Sequence, residues 1–302
     1  MGFKDFKAKM KSADTQEKLT SAFEEKSYTD DRYWTPQRDK NGNFSGLIRW
    51  LPAGGDEEQY YVTMYSYAFQ NKVTEQWYIE NSRQTINEPD PIAQANQELW
   101  NTGVEENKNI VRGRKRQTKF IANILVLKDS ANSENEGKVF LYKYGKAIQN
   151  KIVEAIKPQF ADDKPINPYD MWTGANFKLK IMKDPSTGFP NYERCGFEDP
   201  SDLFDGDDER KEKEVYDKLY PLLPEVASNK FKTYDELLAR FHLVEGKVAQ
   251  TPKSTPKEDT NPDYYETPKA EKSTDIVGTG GNSNDDDDDD VQVDDSILDL
   301  LK

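Results

Sequence analysis

The chain has 302 residues, of which 34% are apolar, and 42 Lys and Arg against 56 Asp and Glu give it a formal net charge of -14. So low an apolar share predicts that part of the chain stays outside any packed core. One cysteine, Cys195, and one histidine, His242, exclude a disulfide framework and any zinc site built from two or more Cys or His.

The start MGFKDFKAKMKS lacks the apolar centre of a signal peptide, and no run of about eighteen apolar residues could span a membrane, so a cytosolic protein without membrane partners is expected. Residues 1–27 read as a basic arm. It carries Lys4, Lys7, Lys9 and Lys11, then a short helical pattern with Leu19, Ala22 and Phe23 on one face. Next, Asn41-Gly42 marks a turn before a strand carrying Leu47, Ile48 and Trp50, which Pro52 ends. YYVTMYSYAF at 60–69 and residues 76–79 supply further strands, and β-rich segments divided by turns predict an antiparallel barrel.

Pro89 and Pro91 interrupt the segment 81–110, although residues 92–100 can form a helix carrying Leu99 and Trp100. The charge balance then reverses. Residues 108–119 hold six cations (Lys108, Arg112, Arg114, Lys115, Arg116, Lys119) and no carboxylate. A strand at 120–127 follows, then another at 139–144 that places Phe140, Tyr142 and Tyr144 on one face, then a helix at 146–156. Residues 176–182 alternate apolar residues with lysines, and the loop GFPNYERCGF presents Phe189 and Tyr192. Helices are expected at 208–219 and 233–242.

Beyond residue 250 the chain turns Pro-, Thr- and charge-rich, then runs through Asp285–Asp290 to DDSILDLLK; this reads as a disordered acidic tail that could dock on a partner. It and the acidic stretch 198–217 account for the negative charge, leaving the remainder net basic by three charges. Clustered cations bind phosphates and flat side chains beside them stack on bases, so the stretch 112–144 points to single-stranded nucleic acid. The aromatic face at 140–144 reads equally as core. Two other classes stay open: a magnesium-dependent nuclease using Asp202, Asp205, Asp207 and Asp208, and an acidic interaction protein or DNA mimic.

Taken in order, Ile48-Arg49-Trp50-Leu51-Pro52, Trp77-Tyr78-Ile79-Glu80, Ala122-Asn123-Ile124-Leu125-Val126, Glu134-Asn135-Glu136-Gly137-Lys138-Val139-Phe140, Gly174-Ala175-Asn176-Phe177 and Phe231-Lys232-Thr233-Tyr234-Asp235-Glu236-Leu237 resemble the single-stranded-DNA-binding, helix-destabilising proteins of T-even bacteriophages, the gene-thirty-two product family. The resemblance implies an α+β, mainly β fold with accessory helices: an OB-fold core at 28–249 between an arm at 1–27 and an acidic tail at 250–302. It implies no enzyme activity but a protein that coats single strands in the host cytoplasm during phage replication, recombination and repair. Its DNA-contacting residues fall on Arg49, Trp100, Arg112, Arg114, Lys115, Arg116, Phe120, Tyr142, Phe189 and Tyr192, to which the cationic run itself adds Lys119. Self-association along DNA falls on Lys9, Lys11 and Ser12, and contact with replication and recombination proteins on the tail. The family's zinc ligands, one His and three Cys after the Trp-Tyr-Ile-Glu motif, are absent here, so no cofactor is expected.

Overall fold

The computed structural model describes residues 30–247 apart from 161, 163 and 205–207. The arm residues Lys9, Lys11 and Ser12 and the acidic tail lie outside these. The strands are β1 (Tyr33–Trp34), β2 (Phe44–Leu51), β3 (Val62–Gln70), β4 (Trp77–Asn81), β5 (Arg116–Asp129), β6 (Val139–Gly145), β7 (Ala175–Lys183), β8 (Pro190–Asn191) and β9 (Gly196–Pro200). The α-helices are α1 (Pro91–Asn101), α2 (Glu105–Gly113), α3 (Lys146–Ile156), α4 (Glu209–Tyr216) and α5 (Tyr234–Val244). The result is an α+β protein built on a mixed sheet.

The sheet is organised by β5. Its middle, Ile121-Ala122-Asn123-Ile124-Leu125-Val126, is buried throughout, as a run that is apolar but for one residue and covered on both faces should be. One edge pairs with β6. The other edge is shared end to end, with β3 along Arg116–Ile121 and β2 along Asn123–Asp129. Asn123 sits where one neighbour gives way to the next, with no exposed surface. Its amide donates to the carbonyls of Pro52 (3.0 Å) and Tyr220 (2.7 Å) and its oxygen accepts from the Tyr220 amide (3.2 Å), so the polar group inside the apolar run is satisfied. Beyond β2 lie β7 and then β8 and β9; β1 runs parallel to β6. Among the described strands the sheet does not close into a barrel.

Alternate residues of β5 serve different cores. Ala122, Ile124 and Val126 join Ile48, Trp50, Tyr142, Tyr144 and Phe177, whereas Ile121 and Leu125 face smaller clusters capped by Leu222 and Leu203. A satellite core of Tyr67, Phe69, Tyr78, Ile92, Phe241 and Val244 joins the β3–β4 hairpin to α1 and α5.

Several boundaries shift from the sequence expectations. β5 starts at Arg116, because pairing to Tyr67 draws the end of the cationic run into the sheet. The segment before it forms α2, whose N-cap Val104 offers no side-chain acceptor, so the start is marked only by Glu105 and Glu106 in the first turn. The helix expected at 208–219 is shorter, Glu209–Tyr216, and that expected at 233–242 is Tyr234–Val244, entered through a capping box between Thr233 and Glu236.

Asp90 organises the segment where the resembled family has zinc ligands. Its carboxylate is almost fully buried; Oδ1 accepts from the amides of Ile92 (2.9 Å) and Ala93 (3.1 Å), and Oδ2 from the Ser82 hydroxyl (2.8 Å) and the Arg83 amide (3.2 Å). One side chain thus caps α1 and ties it to the end of β4.

Candidate nucleic-acid interface

The cationic run divides among three environments. On α2, Lys108 and Arg112 lie one turn apart and so share a helix face. Both reach the ring of Trp100 on α1, with Lys108 Nζ 5.5 Å and Arg112 Cζ 5.8 Å from its centroid. Trp100 is 46% exposed. Arg112 also pairs with Glu105 at 2.6 Å, on the surface.

Arg114 turns inward. Its guanidinium lies over Phe69 (5.3 Å) and Phe241 (5.2 Å) and donates to Glu245 at 2.7 Å, joining the start of β5 to α5. Expected to contact phosphate, it is instead engaged by Glu245 and two rings. Arg49 is likewise inside: it has no exposed surface, Nε donates to Asn176 (3.0 Å), and Nη2 to the Ser201 carbonyl (3.0 Å) and hydroxyl (3.2 Å). Burial lowers its pKa, opposed by Asp170, Asp202 and Glu198.

Arg116 opens β5 on the outside, with Cζ 3.9 Å from the ring centroid of Tyr65 and Nη1 donating to Gln84 at 3.1 Å. Because strand side chains alternate, Arg116, Thr118 and Phe120 share a face, beside Tyr65 and Thr63 of β3. These residues are half-buried or exposed, so the strip is open to solvent. Lys115 is exposed at the junction of α2 and β5.

At the far end of this strip begins a ladder of rings. Phe120 stacks on Tyr144 (5.7 Å, 28°), and Tyr144 on Tyr142 (5.7 Å, 30°), which meets Trp34 edge-on at 5.2 Å. Tyr142, expected at a base, is only 4% exposed and lies toward the buried end of the ladder, where it also lines the cleft that receives Lys119. The Tyr144 hydroxyl donates to Gln149 (3.0 Å) and lies 3.4 Å from that of Tyr169. Burial pushes both phenols up, Tyr169 to about 12, so they stay neutral and add no charge against phosphate.

Lys119 points to the opposite face, into a cleft of about 840 Å³ that Lys143 and Tyr192 also line. Lys143 still touches water, yet the crowding of protein around the cleft desolvates its ammonium and, with Lys119 beside it, lowers its pKa. The wall is not purely cationic. Glu225, 4% exposed, accepts from Tyr33 (2.7 Å) and pairs with Arg32 at 2.9 Å. Phe189 is exposed at the tip of the hairpin joining β7 to β8, where Asp184 accepts from the Ser186 hydroxyl and the amides of Thr187 and Ser186 and is lowered to about 2.

The expected residues are therefore not one constellation. Trp100 and Arg112 meet between α1 and α2, Arg116 and Phe120 share one face of β5, and Lys115 is exposed at the junction of α2 and β5; Lys119, Tyr142 and Tyr192 line the cleft, and Phe189 belongs to its own hairpin. Sequence reasoning missed Tyr65 as a partner of Arg116 and Tyr61 against Phe120 (5.6 Å). The alternation of YYVTMYSYAF was the available signal and puts Tyr61, Tyr65, Tyr67 and Phe69 on one face, but with Val62 and Met64 apolar on the other it did not tell which face is open.

An α+β fold displaying exposed rings with cations set against them has the make-up of a nucleic-acid-binding protein. The chain belongs to the family described as gp32 DNA binding protein like, whose model matches residues 40–245. It is 36% identical over 221 residues to the single-stranded DNA-binding protein of Enterobacteria phage T2, covering 72% of this chain and 70% of that protein. Against the single-stranded DNA-binding protein of Enterobacteria phage T4 it is 35% identical over 218 residues, 70% of each chain.

Proposed function

We propose that this protein binds single-stranded DNA without sequence preference and coats it during phage DNA replication, recombination and repair in the cytoplasm of the host. The relatives named above support the ligand, and one observation carries the mechanism: cations lie against rings at the surface, Lys108 and Arg112 at the exposed Trp100 and Arg116 at the half-buried Tyr65, and with Phe120 these make up the proposed binding track. Rings offer stacking surface to any base, roughly 1–3 kcal/mol each, while the cations take up phosphates, so neither component reads sequence. Duplex hides its base faces. A protein that binds only unstacked strands pulls the melting equilibrium toward them by mass action, without ATP.

The mechanism is one of binding rather than catalysis. Cys195 is buried in the principal core and burial pushes its thiol up, which makes it a poor nucleophile. Within the acidic stretch offered for a nuclease, Asp208 caps α4 and pairs with Lys211 at 3.1 Å. The OB-fold reading of the core belongs to this proposal, supported by the long β5 shared between two neighbours and by α3 directly following β6. So do self-association through Lys9, Lys11 and Ser12, and an acidic tail that competes with DNA and docks replication and recombination proteins.

Titration with oligo-dT, followed by intrinsic Trp and Tyr fluorescence, tests the reading. Quenching by the single strand and not by an equal mass of duplex is expected; no response to either at low salt would overturn it.

A further inference from the structure

We propose that Tyr60 and Tyr61 form a further stacking platform for DNA bases, carrying the binding track past Phe120; the inference rests on the single-strand reading above. These adjacent residues lead into β3 and are 51% and 38% exposed. Each rests on a ring of the layer below, Tyr60 on Tyr169 (5.1 Å, 35°) and Tyr61 edge-on to Phe120 (5.6 Å, 79°). That lower layer is itself joined, since Phe120 stacks on Tyr144 and the hydroxyls of Tyr144 and Tyr169 lie 3.4 Å apart.

Two large rings held in place from beneath, with faces left to solvent, are pre-organised for a flat ligand. Their position fixes what that ligand is. Arg116 lies on the same face, four residues from Phe120 along β5, or about 13 Å at about 3.3 Å per residue. A phosphate at Arg116 and a base at Tyr61 belong to one extended strand crossing the sheet surface. A base stacked in duplex has no free face to offer, so the platform takes single strands only, and any base serves.

The test compares Tyr60→Leu/Tyr61→Leu with Tyr60→Phe/Tyr61→Phe by anisotropy of labelled oligo-dT across a salt series. Tyr60→Leu alone, at the more exposed position, provides a variant that leaves the ring contact with Phe120 intact. The leucine pair is expected to weaken binding about tenfold or more, with an unchanged log–log salt slope, while the phenylalanine pair stays within about twofold of wild type. Wild-type affinity in the leucine variants would overturn the inference while leaving single-strand binding intact. Phenylalanine variants as weak as leucine, or a loss confined to the salt slope, would also overturn it. Failure of the wild-type protein to bind would bring down the underlying reading as well.

Discussion

Replacing Asp90 with alanine should be among the most damaging single changes near α1, because one carboxylate serves four donors there. Loss of the helix cap costs about 1 kcal/mol, up to about 2. The Ser82 hydroxyl, 1% exposed, and the Arg83 amide then lose their acceptor, and a buried polar group without a partner costs about 1–3 kcal/mol. Together these give roughly 3 kcal/mol. Asp90→Asn keeps an oxygen for the Ile92 and Ala93 amides but turns an NH₂ toward the Arg83 amide, so about half that loss is expected. Urea unfolding followed by Trp fluorescence measures the global effect, and hydrogen exchange in α1 and α2 the local one. If Asp90→Ala falls within about 0.5 kcal/mol of wild type, or if EDTA lowers the wild-type midpoint, the carboxylate is not what holds this segment.

Arg49→Ala should destabilise by about 1–3 kcal/mol, because it strips Asn176 and Ser201 of a buried donor, while leaving the salt slope of DNA binding unchanged. A shallower slope in a variant that is still folded would return Arg49 to the DNA surface. Asp129 sets a pH dependence. Burial pushes its carboxyl up, but hydrogen bonds from Asn135 (2.8 Å), Trp34 (2.9 Å) and the amides of Ala131 and Asn132 prevail and hold it below its ordinary 3.8. A depressed folded value stabilises fully above the unfolded value and loses that contribution as pH falls through the folded one. Wild-type stability relative to Asp129→Asn should therefore be constant at neutral pH and shrink below about pH 4, as urea midpoints will show; a gap that widens on acidification would contradict the assignment.

The strands most legible in the sequence were those whose burial is written as composition. Residues 121–126 are apolar on both faces but for Asn123, and Ile48 and Trp50 lie close to a breaker, Pro52. Helix α3 was legible from its stripe, Ile148 and Ile152 being buried. Helix α2 was not, because Glu105–Gly113 lacks both an apolar face and a capping side chain, and it is held by what its cations meet across the turn. The site was legible as chemistry but not as geometry. Cations next to one another in sequence look equivalent, yet Arg114 is enclosed by Phe69, Phe241 and Glu245 while Arg116, two residues on, lies over Tyr65 on the surface. Alternation along β5 then sends Lys119 and Phe120 to opposite faces. Only the partner strands decide which face is open, and they come from elsewhere in the chain, β3 before the two helices and β6 after the following loop.

Central to the account is that Arg116 takes a phosphate while the rings beside it take bases. The salt dependence of oligo-dT affinity, measured for wild type and Arg116→Ala, tests this most directly. Each phosphate contact contributes about -0.7 to the log–log slope on single strands, so four contacts through Lys108, Arg112, Lys115 and Arg116 predict about -3. Arg116→Ala should be shallower by about 0.7 and weaker on every base composition alike. A wild-type slope near zero, or a variant with the wild-type slope, would contradict the account.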